Sequence, residues 1–566
     1  MPKTDISVRE LVDKVQHGDL TLPEMQRRYV WTGTRVRDLL DSLYRSYPSG
    51  TILVWETDDN IETRNLSIAT TGNPTTSQKL LLLDGQQRLT SLTSVLNGNP
   101  ILVRNRKRPI DILFNLEHPD GPPIEVDEVY ENGGTVATHE DEQEAQRDLQ
   151  GELGKRTFVV SSPALKNDPH WVNVSDIFTK TDRDILKPLG INSDDEVWEK
   201  YSERLKRVRA IKDYQYVMQV LQKDMSYEEV TEIFVRVNSL GAKLRSSDLA
   251  LAQITSKWRG FMNLMEDFAS EFGDDAEYVA EWVAVRMLTV CATKQCKFVS
   301  ISRVNKENLE KAWEQAKDGI HFAINFLRNN AGIESLSHIS ASMLIIPIAV
   351  YSLIRHDELS PKEEKQLLKW FYYAHMRGHF GMGSSEGILN SDLAILYKTG
   401  NLDDLLKNLL SHVKQFEVSP EELAKKNINS PFFTMLYYIL KQNGAKDWFT
   451  GLKISEKSTG NSHAIQYHHI FPKSLLQKLS VDSQEINEIS NLAFIGGKTN
   501  RQITNKEPKI YLQKEVLDKN GEEALTSQLI PLDPTMWELS NYQEFLKHRR
   551  ESIADAINKF MKQFDE

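Results

Sequence analysis

Two adjacent histidines and two later asparagines have the residue types and spacing that phosphodiester hydrolysis needs. His468 and His469 stand in the segment YHHIFPKS, and Asn491 and Asn500 follow it. Cutting a phosphodiester requires an activated water, a cation beside the phosphate oxygens and fixed geometry between them. An imidazole that is neutral near pH 7 suits the activation of water, which makes His469 the candidate general base.

The neighbouring histidine suits a metal ligand. Successive side chains of an extended segment face opposite sides, so His468 points away from His469. Asn500 opens a polar stretch that can begin a helix and face the same ion. A nitrogen ligand with amide and water oxygens suits Mn²⁺ somewhat better than Mg²⁺, and the sequence leaves both open. The alternative is that His468 and His469 are ordinary half-buried histidines in a turn.

Residues 461–512 resemble the HNH (His-Me finger, ββα-metal) nucleases, in the branch written [D/E/H]-H-I-x-P…N-L…N-R. The resemblance implies that His469 is the base, that His468 and Asn500 bind the divalent ion, and that Asn491 stabilises the loop through hydrogen bonds. At the position of His468 many relatives carry a carboxylate. The segment contains no cysteine, which excludes the variant with a zinc knuckle. Lys473 and Arg501 are the DNA-contacting residues that we expect here.

A second motif, D-G-Q-Q-R at residues 84–88, follows a short apolar run. Gly85 permits a tight turn, and the first amides of the helix that follows attract an anion. Arg88 adds a bidentate phosphate donor, Gln86 and Gln87 suit a water or a base edge, and Asp84 suits a metal or a polarised water. The alternative is a capping box between Asp84 and Gln87 that needs no ligand.

An upstream segment, LPEMQRRYVW, places a Gln-Arg pair beside two aromatic rings. Phosphate donors next to stacking surfaces suit a nucleotide or a nucleic acid, and we expect Arg27, Tyr29 and Trp31 to contact DNA. The alternative for Tyr29 and Trp31 is aromatic packing in a core.

These front segments resemble the ParB/sulfiredoxin-like domain marked by D-G-Q-Q-R, and the later FVRVNSLGAKL run around Asn238 matches a further element of that family. The resemblance covers about residues 8–255. It implies a nucleotide-hydrolysing site, with GTP, ATP and CTP all open. The residues that it places at this site are Gln26, Arg27, Asp84, Gly85, Gln86, Gln87 and Arg88.

Composition indicates an ordinary non-membrane protein of several domains. The chain has 566 residues, a formal net charge of -11 and two cysteines. Cys291 and Cys296 are five residues apart in a helical-looking segment and point in different directions, so we expect no structural disulfide. No apolar run is long enough to span a membrane and no signal peptide is apparent, so we expect a cytoplasmic protein. The net charge excludes a uniformly basic DNA binder but not a locally basic groove.

We expect an α+β multidomain chain. Its predicted parts are a ParB-like mixed α/β nucleotide-binding domain at residues 1–195, a helical domain at 196–450 and a ββα-metal HNH domain at 451–566. His375 and His379 lie one helical turn apart, but no third ligand is evident, which favours a structural role.

A D-G-Q-Q-R domain joined to an HNH domain resembles the GmrSD-type, modification-dependent (type IV) restriction enzymes and the SspE proteins. The resemblance implies an antiphage endonuclease that cuts or nicks double-stranded foreign or modified phage DNA and is regulated by NTP, with homo-oligomerisation left open. One alternative is a nucleotide-switched DNA-binding regulator with a degenerate hairpin, and another is an RNA-directed nuclease.

Overall fold

Helices predominate over short strands in the computed structural model of this chain. It describes residues 3–23, 29, 31–57, 63–64, 79–99, 101, 103, 109–121, 153–240, 246–356, 358–413, 415–454, 465–503 and 505–565. The predicted α+β class is thereby confirmed. The chain divides into two units, Met1–Met262 and Asn263–Glu566.

Nine of the described strands lie in the first unit and two in the second. They are β1 Lys3–Ser7, β2 Leu20–Pro23, β3 Ile52–Thr57, β4 Thr63–Arg64, β5 Lys79–Asp84, β6 Ile112–Asn115, β7 Phe158–Val160, β8 Trp171–Asn173, β9 Gln215–Leu221, β10 Ile465–His469 and β11 Leu492–Gly496. The first unit contains a six-stranded mixed sheet in the order β1-β9-β3-β5-β2-β4 and a three-stranded sheet in the order β7-β6-β8. The second unit contains the antiparallel pair β10-β11.

The helices connect these strands and then fill most of the second unit. They are α1 Val8–Gln16, α2 Gly33–Tyr44, α3 Gln86–Leu96, α4 Pro163–Lys166, α5 Val174–Thr179, α6 Asp182–Leu186, α7 Glu196–Arg209, α8 Tyr227–Leu240, α9 Ser246–Lys257, α10 Phe261–Ser270, α11 Ala276–Tyr278, α12 Val285–Thr293, α13 Lys306–Asn330, α14 Ile345–Arg355, α15 Pro361–Met376, α16 Ser385–Thr399, α17 Leu402–His412, α18 Pro431–Gln442, α19 Lys473–Lys478, α20 Ser483–Ile486, α21 Gly497–Ile503, α22 Pro508–Tyr511, α23 Asp518–Asn520, α24 Glu522–Thr526 and α25 Tyr542–Lys562. Two π-helical turns, Val279–Ala284 and Leu512–Leu517, interrupt the α-helical pattern.

Both faces of the large sheet are covered by helices. Along β3, Ile52 and Val54 belong to the core shared with α1, α2 and α3. The alternate residues Leu53 and Trp55 belong to a second core that includes residues of α8 and α9. A strand that is buried on both faces is continuously apolar because neither set of alternating side chains meets water. This burial explains why β3 and β5 were recognisable as short apolar runs.

The hairpin β10-β11 has its own core. Ile470, Phe471 and Ile495 pack there with residues of the chain's last helix, α25. The ring of Phe471 lies 4.8 Å from that of Phe545, centroid to centroid. The prediction that the carboxy-terminal amphipathic helix serves packing is therefore confirmed.

One detail of the predicted organisation differs from the structure. Helical spacing predicts helices from residue 196 onward, but Gln215–Leu221 forms β9, which lies between β1 and β3 in the large sheet. The error arises because pairing with strands far along the chain leaves no local periodic pattern. The three-part division at 195 and 450 stays a prediction.

Neither cysteine forms a disulfide. Among the helices in the described ranges, none combines the length and the apolar character that crossing a bilayer requires. Most of the Gly-, Pro- and acid-rich segment at residues 118–155 lies outside the described part of the chain.

Candidate functional site

The hairpin and the helix after it bring His468 and Asn500 together. In β10-β11, His468 lies opposite Ala493, and His469 lies opposite Leu492. The chain passes directly from β11 into α21, which carries Asn500. His468 is buried and His469 is half-buried, as the alternation of a strand requires. The order strand, strand, helix is that of the predicted nuclease hairpin.

The two predicted metal ligands are within contact distance. The Nδ1 of His468 lies 2.8 Å from the Oδ1 of Asn500. The His468 ring is nearly perpendicular to the rings of Trp448 and Tyr511, each with a centroid distance of 5.9 Å. Burial lowers the pKa of His468 to about 4, against a smaller opposing effect of the bond with Asn500. The imidazole is therefore neutral at physiological pH, as a metal ligand must be.

The polar atoms of this pair fit a divalent cation. Within the described ranges, the buried Nε2 of His468 has no hydrogen-bond partner. If Nε2 carries the proton, its N–H lies among aromatic rings, which accept weak hydrogen bonds. With the proton on Nδ1, the ring donates to Asn500 Oδ1 across the 2.8 Å contact; with the proton on Nε2, the lone pairs of Nδ1 and Oδ1 become available to a shared cation. Adjacent ligand atoms of an octahedral Mg²⁺ are roughly 3 Å apart, given bonds of about 2.1 Å.

A protein cage of acidic and imidazole ligands is not present in the described ranges, where no group of three or more His, Cys, Asp or Glu side chains could share an ion. His468 and Asn500 would supply two ligands, and water or substrate oxygens would supply the remainder. Mg²⁺ is commonly bound in this way, through one or two protein ligands and phosphate oxygens.

The ring of His469 is oriented by an amide that the sequence analysis missed. The Nε2 of His469 lies 3.1 Å from the Oδ1 of Asn487. The Nδ2 of Asn487 donates to Ser483 O and Oγ, at 2.8 and 3.3 Å, so its Oδ1 faces the histidine as an acceptor. Nε2 is therefore the protonated nitrogen of His469. No hydrogen bond to Nδ1 occurs in the described part of the chain, so this nitrogen retains its lone pair.

Burial and a nearby positive charge favour the neutral form of the His469 ring. Burial lowers its pKa, the bond with Asn487 opposes this shift, and the positive charge of Lys473 adds to the lowering. Lys473 itself is exposed at the start of α19, and Arg501 is exposed in α21 next to Asn500. The two predicted DNA-contacting residues of the hairpin are thus at the surface.

Asn491 connects the turn after β10 to the start of β11. Its Oδ1 accepts from Phe471 N at 2.9 Å, and its Nδ2 donates to Phe471 O at 3.1 Å and to Ile486 O at 3.0 Å. The side chain is fully buried. These bonds use the amide within the fold, so Asn491 acts by stabilising the loop that follows His469.

Asp447 positions the helix that carries Asn500. Its carboxylate accepts from Gly496 N at 2.6 Å and from the hydroxyls of Thr499 and Thr450, each at 2.7 Å. These bonds lower its pKa although burial opposes the shift. The D-x-x-T pattern at residues 447–450 indicated a turn, but nothing local pointed to contacts some fifty residues away.

Arg549 is a buried cation that binds the hairpin backbone. It is fully buried and donates to the carbonyls of Ser490 at 3.2 Å, Leu492 at 2.8 Å and Gln528. Burial lowers its pKa to about 9. Neighbouring Arg550 forms a two-pronged ion pair with Glu488, with both distances at 2.7 Å. The last helix thus fixes the turn from which Asn491 and β11 emerge.

In the first unit, the D-G-Q-Q-R segment forms the turn between β5 and α3. Gly85 has a φ of +101°, a left-handed conformation, and no side chain caps the helix. The alternative of a capping box between Asp84 and Gln87 is therefore wrong. The apolar face predicted for this helix is buried, including Leu89 and Leu92.

Arg88 makes three hydrogen bonds within the protein. Its guanidinium donates to Ser49 O at 2.6 Å, Thr51 O at 2.8 Å and Asp84 Oδ2 at 3.1 Å. The Arg88 side chain is only 13% exposed, whereas that of Asp84 is 35% exposed. In this conformation Arg88 joins β5, α3 and the segment before β3, and Asp84 is the more accessible member of the ion pair.

The structure describes some of the remaining predicted site residues of the first unit and leaves others outside its described ranges. Gln87 Oε1 accepts from Trp31 N at 3.1 Å, Tyr29 OH bonds Ser91 Oγ at 2.8 Å, and Gln86 is buried. Tyr29 and Trp31 pack against the core of the first unit as partly buried rings. Gln26, Arg27 and the side chain of Asn238 lie outside the described residues. The nucleotide- and DNA-binding roles of this group stay predictions.

His375 and His379 do not share a site. His375 Nδ1 accepts from Ser340 N at 2.9 Å, and His379 Nε2 pairs with buried Asp392 at 2.9 Å. Both rings are fully buried. These separate contacts agree with the structural role favoured by the sequence.

A family model matches the first part of the chain, and a relative of known sequence aligns with nearly all of it. Residues 8–255 match the family model described as GmrSD restriction endonuclease, N-terminal domain. Over 551 residues the chain is 21% identical to "Uncharacterized protein MJ0686" of Methanocaldococcus jannaschii, an alignment that covers 90% of this chain and 87% of that protein. The family match supports a GmrSD-type resemblance, and with it a role of the restriction-endonuclease class that acts on DNA.

Proposed function

We propose that this protein is a metal-dependent DNA endonuclease that cuts or nicks foreign or modified DNA in defence against phage. The HNH-like site of the second unit would perform the cleavage, and the D-G-Q-Q-R region of the first unit would regulate it through NTP. The observation that carries the proposal is the geometry of the adjacent histidines. His469 keeps one lone pair for a proton, while His468 and Asn500 form a pair whose 2.8 Å separation suits a shared ion.

The side chain of His469 performs the proton transfer in this mechanism. Asn487 orients the ring through Nε2, so that Nδ1 accepts a proton from the attacking water. As the water oxygen bonds to phosphorus, one bridging P–O bond breaks and the departing oxygen leaves with its electron pair. His468 and Asn500 would hold a divalent ion, which would supply positive charge to offset the charge that develops on the phosphate oxygens.

The structure of the hairpin gives specific support against the alternative of a degenerate nuclease. Asn491, Asp447 and Arg549 all make buried contacts that fix the elements on which His468, His469 and Asn500 stand. Catalytic geometry requires such support, because small displacements of the reacting groups lower the rate strongly.

The regulatory part of the proposal rests on the motif and on the family match. Gly85 gives β5 a left-handed turn into an eleven-residue helix, and Asp84 stays partly accessible beside it. Anionic phosphates favour the N-terminus of a helix, and a carboxylate beside them suits a Mg²⁺-bound nucleotide. GTP, ATP and CTP all remain candidates.

The decisive experiment compares plain and modified plasmid DNA, with and without each NTP, in Mg²⁺ or Mn²⁺. We expect nicks or breaks that depend on the metal and disappear in His469→Ala, while DNA binding persists. Equal activity of wild type and His469→Ala would overturn the assignment and favour the nucleotide-switched regulator. Cleavage of structured RNA in place of duplex DNA would favour an RNA-directed nuclease, since the wide A-form minor groove presents different contacts.

A further inference from the structure

A cavity of about 630 Å³ lies beside the hairpin, on the face opposite His468. Its walls include Tyr467 of β10 and Phe494 of β11, which are cross-strand neighbours, and part of α18. Ligand pockets of proteins commonly measure about 300–1,000 Å³. Tyr467 and His469 are two residues apart on one strand, so their side chains share a face, roughly 7 Å apart along the chain. His469 itself does not line the cavity, but its side chain lies on the same face of the hairpin as that of Tyr467.

The chemistry of the walls selects an uncharged, planar ligand. None of the lining residues that the structure describes is Asp, Glu, Lys or Arg. A phosphate group would find no cation there, and a metal ion would find no carboxylate. Serine, threonine and asparagine side chains supply hydrogen-bonding groups instead, in the positions Ser337, Ser340, Asn429, Ser430 and Thr434.

Four aromatic rings form one side of this cavity. The ring of Phe433 lies 5.0 Å from that of Phe494 and 5.9 Å from that of Tyr467, and Tyr437 lies 5.3 Å from Phe494, as centroid distances. Tyr437 and Phe494 are buried, while Phe433 and Tyr467 are half-buried and keep accessible ring surface. Half-exposed rings above a buried aromatic floor suit the stacking of another flat ring.

One buried polar atom of the lining is also unsatisfied. His375 is fully buried, and its Nδ1 accepts from Ser340 N at 2.9 Å, so the neutral ring carries its proton on Nε2. In the described residues this Nε2 has no hydrogen-bond partner. A buried donor without an acceptor is costly, but His375 has no exposed surface, so a ligand in the cavity reaches this atom only if the side chains around it move.

We propose that this cavity takes a nucleobase of the DNA substrate, turned out of the helical stack, and so places the adjoining phosphate toward His469. The inference rests on the proposed nuclease function. Enzymes that accommodate an extruded base stack it on aromatic side chains and read its edge with polar groups, and the walls described above offer both. Bases that leave the stack easily, such as mismatched or chemically altered ones, would enter most readily.

The test uses the full chain carrying His469→Ala, so that the DNA stays intact, and short duplexes with 2-aminopurine at successive positions. Emission of 2-aminopurine rises when it leaves the stack, and anisotropy of an end label reports binding separately. We expect emission to rise several-fold at one position or a few. The rise should vanish in Thr434→Phe, which fills the cavity, and persist in the matched Thr434→Ser.

A second variant guards against misfolding. Phe433→Leu keeps bulk but removes a stacking ring, and we expect about tenfold weaker binding of the duplex. A flat emission signal with DNA bound, or a rise that survives Thr434→Phe, would overturn the inference. Binding of free 2-aminopurine riboside without any signal from duplexes would also overturn it.

The outcome separates this inference from the proposed function. If wild-type protein cleaves DNA but emission stays flat, the nuclease assignment stands and the base cavity is rejected. If wild-type protein neither binds nor cleaves DNA, the function itself is rejected, and the inference with it.

Discussion

The two motifs of this chain, the turn at residues 84–88 and the hairpin at residues 467–500, each join a short strand to a helix, yet their side chains are used differently. In the turn, Arg88 bonds two backbone carbonyls and Asp84. In the hairpin, His469 keeps one ring nitrogen without a hydrogen bond to any described residue. Motif residues thus divide into those that the fold uses and those that it leaves for a ligand, and only their contacts make the distinction.

The largest effect on cleavage should appear when one residue of each region is substituted separately. We expect His469→Ala to lower the cleavage rate by about 10²–10⁴-fold with or without NTP, because proton transfer is lost. Asp84→Asn should instead lower NTP-dependent cleavage and leave any NTP-independent cleavage unchanged. Initial rates of plasmid nicking in parallel reactions measure both. Equal losses in the two variants under every condition would contradict a division between chemistry and regulation.

Substituting Arg549 near the hairpin or Arg88 in the turn should mainly lower the free energy of unfolding. Arg549→Met leaves carbonyls of Ser490, Leu492 and Gln528 buried without a donor, and we expect a loss of about 3 kcal/mol in unfolding free energy. Arg88→Met should cost less, about 2 kcal/mol, because the site is closer to solvent. Urea denaturation of each variant measures these losses. Arg549→Lys, which keeps one donor, is the matched control and should fall between wild type and methionine.

The orientation of His469 can be changed without touching the ring. Asn487→Ala removes the acceptor at Nε2, and we expect a loss of about 10–100-fold in cleavage, the usual effect of removing an orienting partner. Binding of DNA should be unchanged. An unaltered rate would show that Asn487 does not position the base.

The pH dependence of the cleavage rate also tests the contact between Asn487 and His469. Burial holds the pKa of His469 below 6.5. The base is therefore neutral, and cleavage continues, until the pH falls below the pKa of His469. Asn487→Asp places a carboxylate beside Nε2, which favours the imidazolium and raises this pKa. The acidic limb of the rate profile should therefore move to higher pH in Asn487→Asp, and an unmoved limb would contradict the assignment of the base.

The smallest effect is expected at the glycine of the turn. Gly85 has a φ of +101°, and a Cβ there would lie 2.5 Å from Ile52 Cδ1. We expect Gly85→Ala to destabilise the protein by about 1–2 kcal/mol. Gly98→Ala, also at positive φ but with open space around it, is the matched control and should cost less. Thermal unfolding of the two variants measures the difference.

Local patterns predicted the elements around both sites but not the partners of their side chains. Strand alternation placed His468 and His469 on opposite faces, and Pro472 stands just before α19, after β10 has ended at His469. Asn487, Asp447 and Arg549 were missed, because each acts on residues that are distant in the chain. The hydrogen-bonding role of Asn491 came from family resemblance, and its three bonds became visible only in the fold.

The sequence by itself determined the strand, turn and helix around each of the two motifs and which residues can transfer a proton, ligate a metal or donate to a phosphate. These properties depend on residue type and on neighbours within a turn or two. Tertiary structure alone decided that Arg88 bonds carbonyls, that Asn487 fixes the tautomer of His469, and that His468 meets Asn500. The physical reason is that hydrogen-bond partners and desolvation are set by whichever distant segments the folded chain packs together.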